Sequence, residues 1–407
     1  MITPLKPQSA VFLLRLCTVT ALIVSSFAQW TPIARAGFNL SIFDLVSLAT
    51  IVLFLLDLVR TMRFSFTRLN QTYCLFVILW VVSVFVSSAY AQSVAFFVRC
   101  LIVIGSVIAI SFWVSRNYIT IDDLRRGVLI GGVSFAVYVI LFIDTEAFLI
   151  LLSKDGFYRA RRAVKHVPSA IDDLNRTGFY IVLAMSVVSA ELTRGNGIRK
   201  AIYAICLSIM TMGAVMTLSR TNIALALLVL SLTFVQFARV YKKWAFLSIS
   251  LGMVPLACLF AKAHASIIAF VFLPLQTISL NDPSLLARQT ALKAMVQFIL
   301  DHPWGLGLGT MNHYLANIHP VDAHNSFINY TMELGVVSST AFFGLYLISF
   351  YRNRRSFLVS FKVNSILALV FFFQIFLKYI HMSSFFLYFV PLLFYYAEYR
   401  RSPSQKL

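Results

Sequence analysis

Along the chain, runs of about 20 apolar residues are separated by short polar breaks. A run of that length carries a helix across the hydrocarbon core of a bilayer. The runs predict an all-α polytopic membrane protein of about twelve spans, at 9–29, 40–59, 71–91, 94–115, 127–147, 177–193, 200–218, 220–238, 244–263, 326–350, 363–379 and 382–398. Residues 201–238 are apolar throughout except at Ser219-Arg220-Thr221-Asn222. The chain must turn there, which places Arg220 at the N-terminus of the eighth span. The first run resembles a secretory signal, with Ala34-Arg35-Ala36 as a cleavage-like site. It is too long, and it carries Arg15, so it reads as an uncleaved span.

One stretch breaks the rhythm. Residues 264–323 form a long segment between the ninth and tenth spans, on the side opposite the termini. Connections longer than about 15 residues are usually functional or disordered. Within this one, Leu285 to Leu300 reads as a helix with an apolar stripe of Leu285, Leu292, Met295 and Ile299. Gln289, Lys293 and Gln297 make its polar stripe, and Arg288 falls on the apolar side. Such an arginine either faces the protein or membrane surface or snorkels back to water.

Composition agrees with the pattern. The 407 residues are 60% hydrophobic and only 12% charged, against roughly 25% charged in soluble domains. They make a single integral membrane domain, 1–407, with no separate soluble one. The five cysteines lie in or near apolar runs without CxxC spacing, so neither a zinc site nor a disulfide framework is indicated.

The net charge of +19 does not point to nucleic acid, because the cations are scattered between spans rather than gathered on one face. They report topology instead. With both termini cytoplasmic, 20 of the 34 lysines and arginines fall on the inner side and twelve on the outer, as the positive-inside rule requires. The expected arrangement is a multi-pass membrane protein with both termini cytoplasmic. Six outer cations crowd into the loop 148–176: Lys154, Arg159, Arg161, Arg162, Lys165 and Arg176. That loop either binds an anionic ligand or lies against anionic headgroups. Arg15 and Arg99 fall within spans. Arg99, about two turns below the outer end of the fourth span, either faces an acceptor cavity or snorkels outward.

The candidate chemistry gathers on the outer face. An arginine at a helix N-terminus opposes the helix dipole, and is sensible where an anion sits between it and the free backbone N–H groups. Arg220 and Arg288 together suit a pyrophosphate, whose oxygens match the guanidinium fork. His324, in Asp322-Ala323-His324-Asn325-Ser326, stands where the outer segment enters the tenth span. Beside two arginines it would stay neutral near pH 7 and could serve as a general base. Chemistry alone does not separate it from the other six histidines. The fifteen acids offer no paired outer carboxylates at Asp-x-Asp spacing, so no metal is expected. Trp304-Gly305-Leu306-Gly307-Leu308-Gly309 lacks the Lys-Ser/Thr of a phosphate loop and reads as a turn that brings backbone close to the site. Glu333 is an acid inside the tenth span that calls for a cation.

Taken together, Leu286-Ala287-Arg288, the His302 to Gly309 stretch, Ala323-His324-Asn325-Ser326 and Glu333-Leu334-Gly335 resemble the O-antigen ligase and polymerase superfamily. Its pattern sets nine residues between His-Asn and a glycine, here Gly335; the final position is Ser338 instead of Gly, Thr or Tyr. Leu218-Ser219-Arg220-Thr221 is similar to the family's other basic site. The resemblance spans roughly 215–340. It implies a GT-C-like membrane glycosyltransferase, without a metal or cofactor, inverting the anomeric centre. The glycan donor would be undecaprenyl pyrophosphate and the acceptor lipid A–core, at a bacterial inner membrane. By the same resemblance His324 is the base, and Arg220 and Arg288 hold the pyrophosphate. Arg99, Arg159, Arg161, Arg162 and Asn325 are further candidates for substrate contact. A polymerase using the same donor is the near alternative, and a twelve-span lipid-glycan flippase the distant one.

Overall fold

The computed structural model describes residues 8–25, 33–35, 38–61, 68–87, 90–142, 174–194, 197–217, 219–240, 283–310, 327–341 and 344. The helices are α1 (Gln8–Ser25), α2 (Ile42–Thr61), α3 (Arg68–Val86), α4 (Tyr90–Ser115), α5 (Ile121–Phe142), α6 (Leu174–Arg194), α7 (Gly197–Met216), α8 (Arg220–Val240), α9 (Pro283–Asp301) and α10 (327–341). The first eight match the first eight expected spans, and α10 lies within the expected tenth. The expected spans 244–263, 363–379 and 382–398 lie outside the described residues. A small antiparallel hairpin, β1 (Ile33–Arg35) and β2 (Phe38–Leu40), joins α1 to α2. The hydrophobic pattern had not indicated it. Arg176, expected in the basic loop, stands in the first turn of α6.

Among the described residues, four helices are long and apolar enough to cross a membrane: α2, α7, and Ser93–Ser115 and Asp122–Leu141 within α4 and α5. Ala10–Ser25, Gly178–Ser189 and Asn222–Phe234 are shorter apolar stretches. The chain is a polytopic membrane protein, and α2 shows why. Its buried face carries Phe43, Asp44, Ser47, Thr50, Phe54 and Asp57, while Leu45, Leu48, Leu55, Leu56 and Val59 are exposed. Polar groups inside and leucines outside is the reverse of a soluble helix, and it fits a lipid solvent.

The described residues fall into two compact units. The first holds α1–α4, the start of α5, the hairpin, α9, the glycine segment and α10. Here α2 packs on α1 and α4, and α3 packs on α4. Local chemistry sets its helix starts. At α2, the Ser41 and Asp44 side chains bond reciprocally: Ser41 N to Asp44 Oδ2 at 2.8 Å and Asp44 N to Ser41 Oγ at 3.1 Å. Thr120 and Asp123 repeat this at α5, at 2.9 and 3.2 Å. Both are capping boxes, which satisfy two orphan N–H groups of a helix start. Arg15 is held at the same end as Asp123, donating to the Tyr118 carbonyl at 3.0 Å and lying 3.5 Å from the Asp123 carboxylate.

The second unit holds the rest of α5, α6, α7 and α8. α6 packs on α7 and α8, and every residue from Phe179 to Ser189 is buried. Thr233 of α8 donates to Ser189 Oγ of α6 at 2.6 Å, the kind of hydrogen bond that ties helices where no water competes.

Candidate functional site

The turn expected at Ser219–Asn222 is present, and Arg220 is the first residue of α8. Short polar side chains build it. Thr217 Oγ1 donates to the Ala214 carbonyl at 2.7 Å and ends α7. Ser219 caps α8: its carbonyl accepts from Ile223 N at 2.9 Å, and its Oγ lies 3.4 Å from Asn222 N. The Asn222 amide, fully buried, reaches back and donates to Thr217 Oγ1 at 3.2 Å. Gly178 of α6 lies against this knot; a Cβ there would overlap the Asn222 amide and come within 2.8 Å of the Thr217 methyl. The turn is therefore rigid, and it presents an arginine at the positive end of a helix dipole. Both features favour an anion at that point.

In the first unit, α9 opens on Pro283, whose missing N–H is no loss at a first helical position. It closes at His302-Pro303, with His302 N bonded to the Phe298 carbonyl at 2.9 Å. The helix is slightly longer at both ends than expected. Its buried stripe is Ala291, Met295 and Ile299, at i, i+4 and i+8. Met295 and Ile299 keep their expected places. Leu292, expected in that stripe, is instead 37% exposed, and Ala291 completes the stripe with a small side chain that lets the helix pack closely. Position 288 lies three residues before Ala291 and seven before Met295, in register with the buried face.

The glycine segment then docks on α10 through backbone. Leu306 N donates to the Met332 carbonyl at 2.8 Å, Gly307 N to the Glu333 carbonyl at 2.9 Å, and Val336 N to the Pro303 carbonyl at 2.9 Å. α10 can accept these bonds because its own ladder is interrupted at Gly335, where φ is +80°. A Cβ on Gly335 would stand 2.5 Å from the Trp304 carbonyl carbon, and one on Gly305 would meet the Gly335 nitrogen. The two glycines, 30 residues apart in the sequence, are therefore partners in one backbone contact. Gly307 and Gly309 press on Ser87 and Phe96, at the adjoining ends of α3 and α4. The glycine run was expected to bring backbone close to the site; the backbone it meets is that of α10.

The first unit also holds a charged cluster. Arg99 Nε donates to Asp44 Oδ1 at 3.0 Å, and Nη2 lies 3.4 Å from Ser41 Oγ. Asp44 is buried, while the Arg99 side chain is 24% exposed. Cys100, next to Arg99 in α4, is fully buried. Glu333 is itself buried, and its carbonyl also accepts from Ser83 Oγ at 3.2 Å. The pairing of Arg99 with Asp44 was not foreseen, although Ser41-x-x-Asp44 is a capping-box signature that marks Asp44 as a helix-start residue. His324, Asn325, Arg159, Arg161 and Arg162 lie outside the described residues.

Residues 205–343 match the family model described as O-antigen ligase. The match covers about a third of the chain, from α7 through α8, α9 and the glycine segment to α10, so the resemblance to the O-antigen ligase and polymerase superfamily holds over the stretch that carries the motifs. No curated protein and no solved structure matches the chain.

Proposed function

We propose that this protein, which carries the O-antigen ligase family's signature over residues 205–343, is a membrane glycosyltransferase that moves a glycan from undecaprenyl pyrophosphate to lipid A–core on the periplasmic face of the inner membrane. The observation that supports it most is Arg220 at the first position of α8, in a turn locked by Thr217, Ser219 and Asn222. Arg220 and Arg288 hold the pyrophosphate. His324 takes the proton of an acceptor hydroxyl, whose oxygen attacks the anomeric carbon from the face opposite the leaving group. The new C–O bond forms as the bond from carbon to the pyrophosphate oxygen breaks, and the electron pair leaves with the pyrophosphate. The two arginines neutralise that growing charge, and the configuration inverts. Arg99, Arg159, Arg161, Arg162 and Asn325 are further contacts to substrate.

The test is transfer in vitro from a defined lipid-pyrophosphate glycan to purified lipid A–core. His324→Ala should abolish transfer with folding intact; a normal rate in that variant removes the assigned base. Arg288→Lys should also lose most activity, because a point charge does not replace a bidentate fork. Transfer to a second glycan unit instead of to lipid A–core would favour a polymerase. Movement of the lipid-linked glycan across the membrane without transfer would favour a flippase.

A further inference from the structure

Two arginines, Arg15 and Arg99, fall within the expected spans, and both meet the same kind of partner. Each reaches the aspartate of a capping box on another helix. Arg15 of α1 lies 3.5 Å from Asp123, in the Thr120–Asp123 box of α5. Arg99 of α4 donates to Asp44, in the Ser41–Asp44 box of α2, at 3.0 Å. A snorkelling arginine turns away from the protein toward water. Arg99 turns inward instead, onto a carboxylate that is completely buried.

The two pairs differ in how the carboxylate is used. Asp123 offers Arg15 the same oxygen, Oδ2, that caps its own helix. That arginine also donates to the Tyr118 carbonyl, so holding the turn between α4 and α5 accounts for it. Asp44 divides the work. Its Oδ2 accepts from Ser41 N at 2.8 Å and from Ser41 Oγ at 2.7 Å, which completes the cap. Its Oδ1 is left to Arg99. The α2 cap therefore does not need the arginine, yet the arginine is fixed by it.

Their places along α4 differ as well. The Arg15 pair lies past the C-terminal end of α4 and the Arg99 pair near its N-terminal end. One turn before Arg99 stands Phe96, which meets the glycine segment: a Cβ on Gly309 would lie 2.5 Å from the Phe96 ring. Residues three apart are neighbours on a helix surface, so Arg99 stands between the start of α2 and the segment that docks on α10. Although its partner is buried, the Arg99 side chain is 24% exposed, so a group from outside the protein can reach it.

We propose that Asp44 is a positioning residue, which aims the Arg99 guanidinium at an anionic group of a substrate, a phosphate or a carboxylate, beside the glycine segment. This assignment rests on the reading of the protein as a glycosyltransferase with Arg99 in contact with substrate. A guanidinium matches such a group through its planar fork, so its orientation matters as much as its charge. An arginine already held in place also loses less side-chain freedom when the anion binds.

The experiment measures transfer in vitro while donor and acceptor are titrated in turn. Arg99→Lys keeps the charge and loses the fork. It should raise the KM for one substrate about tenfold, the factor that ~1.4 kcal/mol represents, with kcat unchanged. Asp44→Asn keeps an oxygen for Ser41 and turns an amide N–H2 toward Arg99, so it spares the cap and releases the arginine. It should raise the same KM by a smaller factor. A rise for the donor assigns the anion to its pyrophosphate, and a rise for the acceptor assigns it to an acidic group there; either supports the proposal. The double variant should do no more than Arg99→Lys alone, because Asp44 acts through Arg99.

Asp123→Asn is the control, since it disturbs the same kind of box and its arginine at the other end of α4. It should leave both KM values at the wild-type level. Unchanged KM values in Asp44→Asn and Arg99→Lys, or shifts that Asp123→Asn reproduces, would reduce the Arg99 pair to a helix cap and overturn the proposal. Additive effects in the double variant would overturn it too. Should Asp44→Asn not fold, Asp44→Glu, which keeps the charge and displaces the aim, is read in the same way. A wild type that transfers no glycan would remove the glycosyltransferase reading and this assignment with it. A wild type that transfers, with variants that behave only as caps, overturns this assignment alone.

Discussion

The turn before Arg220 and the glycine segment after α9 solve one problem by opposite means. Each must hold irregular backbone among membrane helices, where an unsatisfied N–H or carbonyl is costly. The Arg220 turn uses side chains close in sequence: Thr217, Ser219 and Asn222 satisfy one another and the first turn of α8. The glycine segment uses backbone, with residues 303–307 bonded to carbonyls and an N–H of α10. The first device depends on hydroxyl and amide groups. The second depends on the absence of side chains. Substitutions should therefore damage the two in different ways.

The largest effect is expected at Gly335. Alanine there must adopt φ near +80° and place a methyl 2.5 Å from the Trp304 carbonyl carbon. The left-handed conformation costs about 1–2 kcal/mol, and overpacking about 1–3 kcal/mol more. Gly335→Ala should lower the unfolding midpoint in detergent strongly and reduce the yield of folded protein. Gly344 is the control: a Cβ there meets nothing within 4 Å, so Gly344→Ala should change little. Equal behaviour of the two variants would mean that the glycine segment does not dock on α10 as described.

Next comes Arg99. Removing it leaves the buried Asp44 carboxylate without its cation, and breaking a buried pair costs roughly 3–5 kcal/mol. Because the Arg99 side chain is 24% exposed, water can reach the site and the loss should fall near the lower end. Asp44→Asn should cost less, since an amide oxygen still accepts from Ser41 N. Thermal unfolding of the two variants gives the order, and a milder Arg99→Ala than Asp44→Asn would contradict the pairing.

This contrast also marks what could be read from sequence. The spans, the turn at Ser219–Asn222 and the helix in the outer segment follow from apolar periodicity and from residues close in sequence. The contact between Gly305 and Gly335 does not, because neither glycine's neighbours reveal a partner 30 residues away. The glycine run suggested close backbone approach to the site, and gave no sign that its partner is α10. Asp44 was hidden because a span was judged by its apolar residues, and one acid among them reads as an exception. The choice of His324 rested on family spacing, and its surroundings lie outside the described residues.

Gly178→Ala carries the comparison into the second unit. Its Cβ would overlap the Asn222 amide, so the side-chain knot itself must shift. Overpacking of this kind costs about 1–3 kcal/mol. Asn222→Ala should relieve the overlap, so the double variant should be less unstable than the two single losses added together. Strict additivity would show that Gly178 and Asn222 do not meet.

The smallest effect, and the sharpest for function, is at Ser219. Its Oγ lies 3.4 Å from Asn222 N, a long bond, so Ser219→Ala should cost about 0.5–1 kcal/mol, the low end for a lost helix cap. Ser219→Asn and Ser219→Asp both restore a capping oxygen and have nearly the same volume. They differ in charge. If α8 and Arg220 bind the donor's pyrophosphate, the aspartate variant places a carboxylate beside a bound anion and should raise the donor KM, while the asparagine variant should not. The direction follows from like charges repelling in a site shielded from water. Equal KM values for the two variants, at equal stability, would mean that no anion sits at this helix end, and Arg220 would then owe its position to the membrane interface alone.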